Sequence, residues 1–152
     1  MDNMNVNIFI DEKNSNYSPE AEINLKKIRE ISGITVYDFN EIGQVVFQEN
    51  SVLVDAIFGT GLNRKIENPV KKLIPKLNQF KFPKISIDIP SGLFADRLLD
   101  DDQVVFQADE TLSFQFWKKS FLHPETGKFC GNIHILDIGL SQKFIENEHS
   151  DY

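Results

Sequence analysis

Asp88 ends an apolar run, Ile85-Ser86-Ile87-Asp88-Ile89, immediately before the turn Pro90-Ser91-Gly92. A strand that delivers one carboxylate to a sharp turn puts a proton donor and acceptor where open parallel sheets bind ligands, beyond the carboxyl ends of their strands. Gly92 lets the backbone approach a ligand, and Ser91 adds a hydroxyl. The same residues equally describe a buried strand closed by an ordinary turn, because Asp, Pro, Ser and Gly are common turn formers.

A second carboxylate, Asp55, interrupts the apolar segment 52–58, read as a strand covered on both faces by helices. Burying an ionised carboxylate is costly without compensating donors or a cation, so Asp55 is expected to face one or the other. The loop Gly59-Thr60-Gly61-Leu62-Asn63-Arg64-Lys65 follows. Small residues expose backbone N–H groups there while Arg64 and Lys65 supply charge, which suits an anionic ligand. It matches neither full phosphate-loop signature, and a flexible surface loop accounts for it as well. Lys118 lies just past another strand end, where an exposed lysine is the plainer reading. His123, His134 and His149 show no zinc or triad spacing. The aspartates at 96, 100, 101 and 102 match no calcium loop and read as a solvated acidic segment.

The elements that must hold these groups alternate. Strands are expected at Val6–Ile10, Ile34–Tyr37, Val52–Phe58, Lys84–Ile89, 108–114 and 132–138. Ser18 and Pro19 open an amphipathic helix carrying Ala21, Leu25, Ile28 and Ile31 on one face, stopped by Gly33. A second helix runs from Pro69 to about Phe80, with Pro75 inside it. The order is α/β with parallel crossovers. Residues 1–140 are expected to form the domain and 141–152 a polar tail or linker.

The chain has 152 residues, the size of one domain, and a net charge of −7, which argues against a nucleic-acid backbone as partner. A single cysteine, Cys130, excludes an internal disulfide and fits the reducing cytoplasm. No apolar run reaches the length of a membrane span, and no signal peptide opens the chain, so it is read as soluble.

Four segments taken in order are more specific than any one. They are Val54-Asp55-Ala56-Ile57-Phe58-Gly59-Thr60-Gly61-Leu62; Ser86-Ile87-Asp88-Ile89-Pro90-Ser91-Gly92-Leu93; Ala108-Asp109-Glu110-Thr111-Leu112-Ser113-Phe114 with Lys118; and Gly131 with Asp137-Ile138-Gly139-Leu140. Together with Asn24-Leu25 they resemble the YjeF N-terminal domain, the NAD(P)H-hydrate epimerases. The resemblance implies a Rossmann-like three-layer α/β/α sandwich with a mostly parallel sheet. It implies a metabolite-repair isomerase that interconverts the R and S epimers of NADHX and NADPHX, alongside a separate or fused dehydratase.

On that resemblance Asp55 and Ser91 match positions that help hold a potassium ion, and Gly59 to Lys65 match the loop around the dinucleotide. Asp88 matches the acid at the nicotinamide hydrate, and Lys118 an electrostatic or proton-transfer partner. One departure stands out: the family's opening helix, first strand and Gly-x-Asn-Asn-Gly-Gly-Asp-Gly loop have no counterpart here. The expectation is therefore an N-terminally truncated fragment, weakly active or inactive alone, whose neighbouring strands carry unpaired edges. The alternative is a non-catalytic dimerisation or nucleotide-binding module, with a homodimer left open. A ribokinase-like kinase is disfavoured, because no Gly-Ala-Gly-Asp segment is present.

Overall fold

The computed structural model describes residues 5–13 and 17–147, and it divides the chain into two compact units, 1–48 and 49–152. The first unit is built from β1 (Val6–Ile10), α1 (Pro19–Arg29) and β2 (Ile34–Asp38). β1 and β2 pair in parallel from Val6 opposite Ile34 to Ile10 opposite Asp38. Ser18 starts α1 as expected: its hydroxyl accepts from the Ala21 N–H at 3.2 Å, and Pro19 takes the first turn, where its missing N–H costs nothing. Acids in the first turn (Glu20, Glu22) and bases in the last (Lys26, Lys27, Arg29) complement the helix dipole. The apolar face is less covered than its spacing predicts. Leu25 and Ile28 are half-buried and Ile31 is exposed, because a two-stranded sheet offers little surface to cover them. The stacked rings of Phe9 and Tyr37, 5.3 Å apart, join the two strands.

The second unit carries β3 (Leu53–Asp55), α2 (Val70–Gln79), β4 (Lys84–Ile87), β5 (Glu110–Phe114), α3 (Lys119–Leu122), α4 (Pro124–Gly127), β6 (Asn132–Leu136) and α5 (Gln142–Asn147). Its sheet has the order β3-β4-β5-β6, every pair parallel. Parallel strands with helices in the β1–β2, β3–β4 and β5–β6 connections, and an irregular connection between β4 and β5, give the α/β, Rossmann-like class expected from the sequence. Among the described residues β1 pairs only with β2, and β3 only with β4, so both are sheet edges. α2 buries Val70, Leu73, Ile74 and Leu77, the i, i+3, i+4, i+7 stripe of an amphipathic helix, and keeps Pro75 on its exposed side. A short helix, α5, occupies the segment read as a polar tail, whose residues 148–152 lie outside the described residues.

Three strands end earlier than the apolar runs predict; β6 stops at Leu136 rather than at 138. β3 stops at Asp55 rather than Phe58, because the next backbone donors turn to side chains: Ile57 N–H to Asp55 Oδ1 (3.3 Å) and Phe58 N–H to Ser91 Oγ (3.0 Å). β4 stops at Ile87 rather than Ile89, because Asp88 takes φ +67° and turns the chain.

The register sorts the sheet by face. Asp55, Ser86 and Thr111 lie opposite one another along the hydrogen-bonding direction and are all buried. Near them the core gathers Ile89, Leu93, Val105, Phe121 and Cys130, with Ile133 packed against it. Burial pushes the Cys130 thiol up to about 12, which keeps it from reacting. Val54, on the opposite pleat, is 54% exposed, so β3 is not covered on both faces as its composition suggests.

Candidate functional site

Asp55 points from β3 into the buried face and is 2% exposed. Four donors satisfy it. Ser91 gives both its N–H (2.8 Å, to Oδ2) and its hydroxyl (2.6 Å, to Oδ1), Ser86 donates its hydroxyl to Oδ2 (3.0 Å), and the Ile57 N–H reaches Oδ1. All four are neutral, and no salt bridge reaches Asp55 among the described residues. Burial pushes its carboxyl above the ordinary value, and the bonds from Ser91 pull against that shift without cancelling it. The expectation that Asp55 faces donors holds.

Asp88 sits at the tip of β4 in a conformation few residues take. Its φ is +67°, and the Ile89 N–H bonds to the Ile87 carbonyl at 2.9 Å, closing a γ-turn of the positive-φ, more strained kind around it. Asp tolerates this region better than most side chains. The backbone is held there because the Asp88 N–H continues the ladder to the Leu112 carbonyl at 2.8 Å. Such strain at a strand end is a mark of functional sites.

The turn aims the Asp88 carboxylate at two elements. Oδ1 accepts from the Phe114 N–H (3.2 Å) and pairs with Lys118 Nζ (3.1 Å), both side chains being 12% exposed. Oδ2 faces the glycine loop, with only a long contact from the Thr60 N–H (3.4 Å). A methyl group placed on Gly59 would lie 3.4 Å from that oxygen, so the missing side chain leaves Oδ2 open.

Lys118 is therefore not the plain exposed lysine its sequence position suggests. Besides Asp88, its Nζ donates to the Phe114 carbonyl (2.9 Å) and the Phe116 carbonyl (3.2 Å). Three acceptors match the three N–H donors of an ammonium group. Its main chain caps the N-terminus of α3, which fixes where the side chain starts.

The structure thus joins Asp55 with Ser91, and Asp88 with Lys118, Gly59 and Thr60. It does not bring the loop's cations to the carboxylates. Lys65 donates to the Asp101 carbonyl at 2.9 Å, and Arg64 and Asn63 are exposed. Gly61 is exposed, with open space where a side chain would stand, and Leu62 is half-buried. A cavity of about 530 Å³ lies at the loop's end, where Lys65 and Lys71 line it. Another of about 340 Å³ is lined by Arg97, Lys119, Ser120 and His123; neither contains Asp55, Asp88 or Lys118.

The histidines that are described have local partners. His123 Nδ1 accepts from the Glu125 N–H (3.3 Å), and exposed His134 pairs with Glu110 (2.6 Å). His149 lies outside the described residues. Among the described residues no group of three His, Cys, Asp or Glu side chains could hold a metal.

Sequence reasoning missed Ser86, although β3 and β4 place it directly opposite Asp55. It also missed the Phe114 N–H and Gln115, because backbone donors and turn conformations leave no signature in residue type.

The sequence profile described as "YjeF-related protein N-terminus" matches residues 1–120. The chain belongs to this family. A protein named NAD(P)H-hydrate epimerase from Anaerococcus prevotii is 38% identical over 98 residues, which cover 64% of this chain and 44% of that protein. One of the same name from Elusimicrobium minutum is 35% identical over 94 residues, 62% of this chain and 41% of its own length. The bifunctional NAD(P)H-hydrate repair enzyme Nnr of Synechocystis is 33% identical over 98 residues, 63% of this chain and 18% of the enzyme. The chain spans less than half the length of each of these relatives.

Proposed function

We propose that this chain carries the acid–base half of an NAD(P)H-hydrate epimerase site and interconverts the R and S epimers of NADHX and NADPHX. The observation that carries the reading is the asymmetry of Asp88: Oδ1 is committed to Lys118 and the Phe114 N–H, while Oδ2 opens toward Gly59. A carboxylate with one anchored and one available oxygen can take the hydroxyl proton of the hydrated carbon as the ring C–N bond there breaks, the carbon becoming a planar carbonyl and the bonding pair passing to the ring nitrogen. When the nitrogen re-forms that bond on the other face, the carboxyl group returns the proton to the oxygen, so the configuration is remade with no net change in protons. Lys118 holds the carboxylate in place by charge. With all three donors occupied it acts as an electrostatic partner and not as a base.

The loop from Gly59 to Lys65 suits the dinucleotide, and the cavity at its end, lined by Lys65 and Lys71 against the single carboxylate of Glu67, offers a net positive charge to a pyrophosphate. The donor chemistry around Asp55 fits a potassium ion: the carboxylate and the Ser91 hydroxyl are hard oxygens, and among the described residues no cationic side chain pairs with the buried charge. Asp55 and Ser91 would hold the ion, which when bound offsets the negative charge of Asp55 and that of an anionic substrate.

A separate or fused dehydratase is the natural partner for such an activity, in keeping with the bifunctional name of the Synechocystis relative. A buried, free Cys130 fits a cytoplasmic setting, and among the described residues no helix is long and apolar enough to cross a membrane.

The reading is tested by following epimer exchange of NADHX by NMR with the wild-type chain and with Asp88→Asn, since Asn also tolerates φ +67°. Wild-type exchange faster than the uncatalysed rate, lost by about 10²–10⁴-fold in the variant, is the expected result. Equal rates for the two proteins remove Asp88 from the reaction.

A second reading, a dimerisation module, draws on the exposed apolar pleat of Val54, Phe114 and Leu136. Sedimentation equilibrium decides it: a monomer at all concentrations eliminates a homodimer.

A further inference from the structure

β5 ends as β4 does. Gln115 has φ +60°, and the Phe116 N–H bonds to the Phe114 carbonyl at 2.7 Å, closing a second positive-φ γ-turn next to the one around Asp88. Gln has no special tolerance for this region, unlike Gly, Asn or Asp, so the conformation needs support from elsewhere. The support is visible. The Gln115 N–H donates to the Leu136 carbonyl at 2.7 Å, and its side-chain Oε1 accepts from the Ile138 N–H at 3.0 Å, fastening the turn to the end of β6 at two points.

The groups this turn presents belong to the Asp88–Lys118 pair. Phe114, the residue before Gln115, gives its N–H to Asp88 Oδ1 and its carbonyl to Lys118 Nζ, and Phe116, the residue after, gives its carbonyl to the same Nζ. Three of the contacts that fix the pair therefore come from the two residues flanking Gln115. The Ser113 hydroxyl donates to the Phe116 carbonyl at 3.3 Å, tying the far side of the turn back to β5. An extended residue at 115 would carry the Phe116 carbonyl away from Nζ.

We infer that Gln115 is a positioning residue for the site. Its strained turn, braced through Oε1 to Ile138, holds the Phe114 and Phe116 carbonyls where they orient the Lys118 ammonium against Asp88 Oδ1. This rests on the epimerase reading only for its effect on rate; the effect on Lys118 belongs to the chain without ligand.

The test compares wild type with Gln115→Gly, Gln115→Glu and Gln115→Val. Glycine accepts φ +60° but has no brace, glutamate keeps an acceptor for the Ile138 N–H, and valine cannot adopt the turn without strain. The first readout is hydrogen exchange of the Lys118 Nζ protons, followed by NMR on the ligand-free full chain at low temperature. Gln115→Gly is expected to exchange them at least about ten-fold faster with the backbone spectrum otherwise retained, and Gln115→Glu is expected to restore protection. Because Gln115→Val can also lose the fold, the glycine and glutamate variants decide.

The second readout is epimer exchange of NADHX, where misplacing the pair is expected to lower kcat by about ten-fold or more with KM little changed. Unchanged Nζ protection in Gln115→Gly overturns the inference, whatever the enzyme rates. Loss of protection in Gln115→Gly with no wild-type acceleration of exchange upholds the inference and sinks the epimerase reading. Wild-type turnover matched by Gln115→Gly, with protection intact, does the reverse.

Discussion

Ser91 closes on Asp55 from two directions, its N–H bonding one carboxylate oxygen at 2.8 Å and its hydroxyl the other at 2.6 Å. The hydroxyl also accepts from the Phe58 N–H at 3.0 Å. One serine thus links the end of β3, the start of the glycine loop and the turn after Asp88. The link makes the buried charge of Asp55 a matter for the whole site: whatever shifts Asp55 shifts the turn that follows Asp88.

The first prediction concerns that charge. Burial raises Asp55 above its ordinary 3.8 in the folded chain, so the folded state holds a proton over a range in which the unfolded chain has lost it. The corresponding stability is fully present below about 3.8 and is lost as pH rises through the folded value. Asp55→Asn cannot ionise and does not lose it. In potassium-free buffer the variant is expected to gain on wild type in urea midpoint as pH rises from about 4 to about 7. Potassium chloride, compared with an equal concentration of a large organic cation, is expected to raise the Tm of wild type alone. Each kcal/mol of binding is worth about 2–4 °C in a chain of this size. Parallel pH profiles would show that Asp55 stays ionised without penalty.

How much of this was legible depends on the range of the interactions. α1 was readable because Ser18-Pro19 is a local signal, and β1 because its run is bounded by polar residues. β3 and β4 were read too long because apolar composition continues past the point where Asp55, Ser91 and Asp88 redirect the backbone donors. Asp55 and Asp88 could be singled out as carboxylates at strand ends. That Ser86 serves Asp55 across 31 positions follows only from the β3–β4 register, and that Ser91 bonds it across 36 follows from the turn beyond β4, although the family resemblance already set Asp55 and Ser91 together. Residue type alone makes Lys118 a plain exposed lysine and only the family resemblance makes it a partner of Asp88, since its acceptors are carbonyls gathered by the turn at Gln115.

The second prediction separates charge from packing at Lys118. Lys118→Met keeps the stem but leaves Asp88 Oδ1 and two carbonyls without their shared donor. Removing one side of a largely buried, charge-assisted contact is expected to cost about 1.5–3 kcal/mol in urea unfolding. Lys118→Arg keeps the charge but not the compact three-way donor geometry, and is expected to recover part of that loss and little of the epimer exchange. Full stability in Lys118→Met would mean that the pair is solvated and contributes nothing.

The third prediction contrasts two glycines. A methyl group on Gly92 would fall 2.1 Å from the Val104 carbonyl oxygen, at φ +104°, so the backbone itself would have to move. Gly92→Ala is expected to destabilise by about 2–6 kcal/mol, read from unfolding curves or from failure to accumulate folded protein. At Gly59 the same methyl group meets only Asp88 Oδ2, at an ordinary 3.4 Å contact. Gly59→Ala is expected to keep its stability within about 0.5 kcal/mol while lowering epimer exchange by about ten-fold or more, because it occupies the open side of Asp88. Undiminished exchange in a folded Gly59→Ala would show that the reacting oxygen is not Oδ2.

The last prediction lies away from the proposed chemistry. Ser120 is 3% exposed, its N–H bonds to the Ala95 carbonyl, and its own carbonyl accepts from the Thr126 hydroxyl; its side-chain hydroxyl, by contrast, is buried with no hydrogen-bond partner among the described residues. An unpaired buried hydroxyl costs about 1–3 kcal/mol relative to solvent, whereas replacing it with hydrogen removes the penalty and very little volume. Ser120→Ala is therefore expected to stabilise the chain by about 1 kcal/mol and to leave epimer exchange unaltered. Thr126→Val, which keeps the shape but deletes a bonded hydroxyl, is expected to move stability the other way by a similar amount. Opposite signs for two buried hydroxyls joined through the Ser120 carbonyl follow only if one is paired and the other is not. Destabilisation by Ser120→Ala equal to that of Thr126→Val would show that the Ser120 hydroxyl has a partner after all, an ordered water being the simplest.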